Sequence, residues 1–151
     1  LSGPARGGAV RRHPRMARTS RELKDREGIA ALAMLAQRRE AGLRAALARL
    51  MLAAREAADN VVTCERACDV QRDVWQRALS RGGVYGPREA AGAARLVEEE
   101  RASLVDAKAR HSKAIDIAQQ AEAHVREQRE RLQSNSRKQE KLRELLEFYR
   151  T

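Results

Sequence analysis

Apolar and small residues recur at alternating steps of three and four along two long stretches of the chain. In the first stretch only one of these positions, Gln71, is polar. The positions of this stretch are Leu43, Leu47, Leu50, Ala54, Ala57, Val61, Cys64, Cys68, Gln71, Trp75 and Ala78. Heptad spacing of this kind predicts a helix that packs along one narrow stripe, here called the seam. We expect this helix to span about 20–81, with Ser20 as its N-cap.

The second stretch has a poorer seam, with five polar positions. Its seam positions are Val97, Glu100, Leu104, Ala107, His111, Ala114, Ala118, Ala121, Val125, Gln128, Leu132, Asn135, Gln139, Leu142, Leu146 and Tyr149. They predict a second helix over about 87–149. Polar seam residues such as Gln128 and Asn135 could specify either the pairing of these two helices or the register with a partner chain.

A strong helix break separates the two stretches, at Gly82-Gly83-Val84-Tyr85-Gly86-Pro87. Glycine caps the end of one helix, and proline suits the first turn of the next. Two long helices joined by a short tip at 82–87 predict an antiparallel hairpin. The predicted fold is therefore all-α: a long antiparallel two-helix coiled-coil hairpin that forms a single domain over residues 19–151.

Composition supports this fold and excludes others. Ala, Glu, Lys, Leu and Arg supply 89 of the 151 residues, whereas only four are aromatic, which is typical of long helices rather than of a layered globular core. No apolar run is long enough to span a membrane, and residues 1–20 lack the apolar region of a signal peptide. We therefore expect a cytoplasmic protein without membrane insertion.

Residues 1–18 carry five arginines, no acidic residue and two of the three prolines. This composition predicts a disordered basic leader. Since Met16 would make a sensible native start, the leader need not belong to the functional protein.

No pattern of catalytic or metal-binding residues stands out. Cys64 and Cys68 have the spacing of a metal half-site without its second pair, so we interpret them as small seam residues. The three histidines have no nucleophile arranged beside them, and the glycine-rich tip lacks the sequence of a phosphate loop. We expect no catalytic residue, no metal and no cofactor.

The net charge of +10 raises the question of nucleic-acid binding. Half of that charge lies in residues 1–18, and residues 84–151 carry 14 basic and 12 acidic residues. There is no basic zipper region, zinc finger or aromatic platform, which disfavours specific nucleic-acid binding.

The tip concentrates the larger side chains, because Trp75, Leu79, Val84 and Tyr85 fall within eleven residues. Two interpretations remain open. These side chains could plug the end of the coil, or they could form a partner-binding knob, since Trp and Tyr commonly anchor interfaces.

The predicted hairpin is basic and has a glycine-rich tip, with a Trp shortly before the turn (Val74-Trp75-Gln76-Arg77) and a second arm rich in Arg, Glu and Gln. In these features the chain resembles the YscO/FliJ family. Those proteins are the stalks of type III secretion and flagellar export ATPases. The Arg- and Ala-rich composition is similar to the plant-pathogen branch, although the Ala-rich first arm and the leader depart from the family pattern.

The resemblance implies a non-enzymatic stalk at the cytoplasmic face of a protein-transport and virulence apparatus. Its partners would be a hexameric secretion ATPase, an export gate protein and secretion chaperones. By position, the ATPase-facing end would contain Arg38, Arg39, Arg44, Arg137, Lys138 and Arg143, and the gate-facing tip would contain Trp75, Leu79 and Tyr85. The alternatives are a basic coiled-coil nucleic-acid-binding protein and a generic coiled-coil scaffold or adaptor.

Overall fold

The computed structural model describes residues 12–81 and 86–150, with side chains from Thr19 onward. Two helices account for nearly all of this part of the chain: α1 is Arg12–Ser80 and α2 is Pro87–Arg150. The helices pack against each other in opposite directions, since Ala36 lies against Asn135 while Leu43 lies against Gln128. Across these described ranges there is no strand. The predicted all-α pairing of two long helices is confirmed.

The start of α2 is held by the Glu89 half of a capping box, since Gly86 has no side chain to supply the other half. The carbonyl of Gly86 accepts a hydrogen bond from the amide of Ala90 at 2.9 Å, and the Gly86 amide donates to the Glu89 carboxylate at 3.3 Å. Glu89 thus satisfies a donor that would otherwise have no partner at the helix end. Pro87 occupies the first helical position, as the sequence predicts.

The start of α1 differs from the sequence-based expectation. The helix begins at Arg12 rather than near residue 20, so residues 12–18 of the predicted disordered leader are helical. Pro14 does not prevent this, because the first-turn amides of a helix have no partner within the helix. The remainder of the leader, residues 1–11, and the tip residues 82–85 lie outside the described residues.

The predicted seam is confirmed along both helices. All of its positions are buried or half-buried, from Leu43 to Ala78 on α1 and from Val97 to Tyr149 on α2. The seam also continues further than predicted on α1, where Ile29, Ala33, Ala36 and Glu40 keep the same spacing and are at least half-buried.

The chain divides into two compact units. Unit 1 combines Leu1–Ala46 with Gln128–Thr151, and unit 2 is Leu47–Glu127. The buried residues of unit 2 are apolar: Cys68, Leu104, Ala107, Ala114 and Val125. In unit 1, by contrast, Ala36 is buried together with three polar residues, Gln128, Asn135 and Gln139. None of the helices, as far as the structure describes them, is long and apolar enough to cross a membrane.

Candidate partner-binding surfaces

The polar seam residues of unit 1 bind the facing helix through its main chain. Asn135 and Gln139 both donate side-chain amide hydrogen bonds to the carbonyl of Ala36, at 2.9 and 3.1 Å, and Gln128 donates to the carbonyl of Leu43 at 3.1 Å. Gln139 also donates to the Glu40 carboxylate at 3.2 Å. These amides are therefore used between α1 and α2, as one of the two interpretations of Gln128 and Asn135 predicts.

Unit 2 has one comparable polar contact. Gln71 donates to both the main-chain carbonyl and the carboxylate of Glu100, at 3.1 and 2.6 Å. Glu100, a polar seam position on α2, thus obtains a neutral donor from α1. A hydrogen bond to a charged group is worth about 1.5–3 kcal/mol, so this contact favours one register of the pair.

The six basic residues predicted for an ATPase-facing end all belong to unit 1. They are exposed in every case: Arg38, Arg39, Arg44, Arg137, Lys138 and Arg143. Only Arg44 has an ion-pair partner among the described side chains, the Glu40 carboxylate at 3.4 Å on the same helix. The other five present their charge to solvent.

Formal charge is distributed unequally between the two units. By sequence, unit 1 contains 18 Lys and Arg residues against 8 Asp and Glu residues, whereas unit 2 contains 13 of each. Unit 2 is therefore neutral, and unit 1 carries the whole net charge of +10. A field concentrated in one part of a molecule orients a charged partner on approach.

A groove opens on unit 1 between leucines of the two helices, of which Leu32, Leu35 and Leu145 are exposed and Leu142 is half-buried. Leu32 and Leu35 of α1 face Leu142 and Leu145 of α2 across a cavity of about 390 Å³. We call these four residues the leucine groove. Ala36, Asn135 and three basic residues, Arg39, Lys138 and Lys141, also line this cavity. Leu32 is 55% exposed and Leu145 is 47% exposed.

Sequence reasoning missed this groove. Leu32, Leu35 and Leu145 are each adjacent in sequence to a seam position, so they widen the apolar stripe beyond the two positions per heptad of a strict seam. A stripe of that width on a paired helix is the pattern of a helix with more than one packing neighbour. The Leu145-Leu146 pair and the Leu32-Ala33 and Leu35-Ala36 steps carried that signal.

The predicted tip residues belong to unit 2 where they are described. Leu79 is 52% exposed, and Trp75, one turn earlier, is half-buried. The indole N–H of Trp75 is enclosed and has no acceptor among the described residues. An enclosed donor without a partner costs about 1–3 kcal/mol. Tyr85 lies outside the described residues, so the choice between an end plug and a partner-binding knob stays open.

The two cysteines occupy the seam of unit 2, as interpreted from the sequence. Cys68 is buried, and the half-buried Cys64 donates its thiol hydrogen to the side-chain carbonyl of Asn60 at 3.9 Å. Both thiols are free. A search of the described residues finds no cluster of three His, Cys, Asp or Glu side chains that could hold a metal ion.

Comparison with known proteins adds no relative. No protein-family model, curated protein or solved structure matches the chain.

Proposed function

We propose that the chain is a non-enzymatic stalk protein of a type III secretion ATPase. In this role it promotes assembly and activity of the hexameric ring and links the ring to the export gate at the cytoplasmic face of the apparatus. The proposal extends the resemblance to the YscO/FliJ family, and the paired-helix fold is compatible with it. A protein of this kind acts by contact, so its surface carries the function.

The observation that carries the proposal is the segregation of charge. The entire net charge belongs to unit 1, which also contains all six basic residues expected to face the ATPase. Exposed, unpaired arginines are suited to steering and orienting a partner of complementary charge. The candidate gate-binding residues Trp75 and Leu79 belong to unit 2, which is neutral. The two proposed partners are thus assigned to units of different electrostatic character.

The test is a titration of the purified chain into the secretion ATPase encoded by the same genome, with ATP hydrolysis and hexamer formation as readouts. We expect the triple variant Arg38→Glu/Arg137→Glu/Arg143→Glu to weaken the stimulation by about tenfold or more at low salt, because it reverses exposed charge in unit 1. The matched control reverses three exposed arginines of unit 2: Arg55→Glu, Arg66→Glu and Arg110→Glu.

Two results would contradict the stalk proposal. One is an ATPase that does not respond to the wild-type chain; the other is an equal loss with both triple variants. Gate binding is measured alongside with Trp75→Ala and Leu79→Ala, which should weaken it by about 1–3 kcal/mol if these side chains are anchors.

The same charge segregation favours a second candidate, a basic coiled-coil protein that binds nucleic acid without sequence specificity. By sequence, unit 1 contains 18 basic residues, 13 of them beyond residues 1–18, and an excess of this kind is typical of proteins that contact phosphates. This candidate predicts duplex DNA binding that falls by orders of magnitude between about 50 and about 200 mM salt. A generic scaffold would show neither DNA binding nor ATPase stimulation.

A further inference from the structure

The leucine groove of unit 1 is apolar at its centre and basic at its edges. Leu32, Leu35, Leu142 and Leu145 line it, and two exposed lysines and one exposed arginine, Lys138, Lys141 and Arg39, surround them. Among the residues that the structure describes, no carboxylate lines the groove. None of the three cations forms an ion pair in the part of the chain that the structure describes. The groove therefore combines exposed apolar area with uncompensated positive charge.

The geometry of the groove suits a helix. Each helix contributes two leucines at a spacing of three residues, so each pair forms a short ridge along one helix face. Two such ridges with small Ala36 between them leave a furrow into which the ridge of a third helix can pack. A third helix would also cover Leu32, Leu35 and Leu145, which are exposed and lie beside the seam that α1 and α2 share.

The charge of the groove selects its occupant. A second copy of this chain would bring another unit 1 with the same excess of basic residues, and residues 1–18 carry five arginines and no acid. Both would add positive charge beside Arg39, Lys138 and Lys141. An acidic partner instead gains attraction at the edge of the groove and apolar contact at its centre.

We propose that the leucine groove binds an acidic amphipathic helix of a partner protein. The apolar face of that helix packs on the four leucines, while its Asp and Glu side chains pair with Arg39, Lys138 and Lys141. This site goes beyond the proposed stalk function and stands whether or not the chain serves a secretion ATPase, because it depends only on the groove.

The experiment measures fluorescence anisotropy of a labelled, helix-stapled peptide with the full chain. The probe has leucines along one helical face and glutamates on either side of that face. A second probe keeps the leucines and replaces every glutamate by lysine. We expect the acidic probe to bind with a micromolar Kd and the basic probe to bind at least about tenfold more weakly.

Variants of the chain locate the binding site. Leu32→Ala/Leu145→Ala should weaken binding of the acidic probe at least about tenfold, because two apolar contacts are lost. The matched control, Leu52→Ala/Ile117→Ala, removes two aliphatic side chains of similar exposure from unit 2 and should leave the Kd unchanged. Circular dichroism of each variant is measured alongside, and each should keep its helix content.

A charge swap provides the strictest test. Lys138→Glu/Lys141→Glu should reverse the preference, so that the basic probe binds better than the acidic one. The proposal is wrong if the acidic probe does not bind, if both probes bind equally, or if the control pair weakens binding as much as the groove pair. It is also wrong if gel filtration shows a dimer that Leu32→Ala/Leu145→Ala dissociates, or if anionic vesicles bind through the groove in place of the peptide. ATPase stimulation, which is tested with residues outside the groove, can fail or succeed independently.

Discussion

The two units use the same pairing of α1 with α2 but bury different chemistry in it. Among its described side chains, unit 2 buries only apolar ones, with Leu104 as the largest aliphatic side chain and the alanines Ala107 and Ala114 as the smallest. Of the four buried residues that the structure describes in unit 1, three are polar, namely Gln128, Asn135 and Gln139. Apolar burial is non-directional, whereas a hydrogen bond has a defined donor, acceptor and geometry. Unit 2 therefore depends mainly on buried apolar area for its stability, whereas three buried amides in unit 1 fix which residues of α1 and α2 face each other.

The exposed surfaces of the two units also differ. Unit 2 balances its charges, while unit 1 combines excess positive charge with the leucine groove. Local opening should cost less free energy in a unit with a polar interior and an incompletely covered apolar surface than in a unit with an apolar interior. We therefore expect unit 1 to be the less stable part of the molecule and the one that a partner stabilises.

The largest expected effect is the loss of a buried aliphatic side chain in unit 2. Leu104→Ala should lower the free energy of unfolding by about 2–5 kcal/mol, because it removes apolar contacts and leaves a cavity. Chemical denaturation followed by circular dichroism measures it. The control is Val105→Ala at the next residue, which is 57% exposed and should change stability little. Equal effects at the two positions would show that unit 2 does not depend on its apolar interior.

A smaller loss is expected from the polar interior of unit 1. Asn135→Ala removes one hydrogen bond to the Ala36 carbonyl and should cost about 0.5–1.5 kcal/mol. Amide hydrogen exchange should show the change within unit 1. Ser134→Ala, at an exposed neighbouring position, is the control. A gain in stability from Asn135→Ala would mean that the amide serves specificity alone.

The smallest expected effect is a gain in stability. Gly42 lies within α1 in unit 1, and a Cβ there would meet no other atom within 4 Å. Gly42→Ala should therefore stabilise the chain by about 0.8–1 kcal/mol, the difference in helix propensity. Gly92→Ala is the matched change in unit 2, with the same open space. If unit 1 opens separately, hydrogen exchange will show slower opening of unit 1 with Gly42→Ala but not with Gly92→Ala.

Much of the fold could be predicted because heptad spacing is a local property of the sequence. Positions such as Leu47, Val61 and Leu132 were identified from spacing alone, and the tip was marked by Gly86-Pro87. The N-terminal extension of the seam through Ile29 to Glu40 was missed because its four positions are one isoleucine, two alanines and a charged glutamate, which give a weak apolar signal. Helical structure from Arg12 was missed because a composition without acidic residues indicated disorder.

The candidate sites were less predictable than the fold. Charge can be counted in a sequence, but its segregation follows from which residues form a common unit, and that requires the pairing of residues 1–46 with 128–151. The leucine groove likewise requires Leu35 and Leu142 to be brought together by two distant parts of the chain. The acceptors of Asn135 and Gln139 are main-chain carbonyls, which no residue type reveals.

That use of the main chain has a consequence for how such sequences diverge. The amides of Gln128, Asn135 and Gln139 are encoded in α2, but the groups they bind at Ala36 and Leu43 are present at every residue of any helix. The register of the two helices in unit 1 therefore depends mainly on side chains of α2. Random replacement at Ala36 by another small residue should be tolerated far more often than replacement of Asn135. A library of variants at these two positions can be sorted for folded protein and sequenced. Among the folded variants, we expect more residue types at position 36 than at position 135.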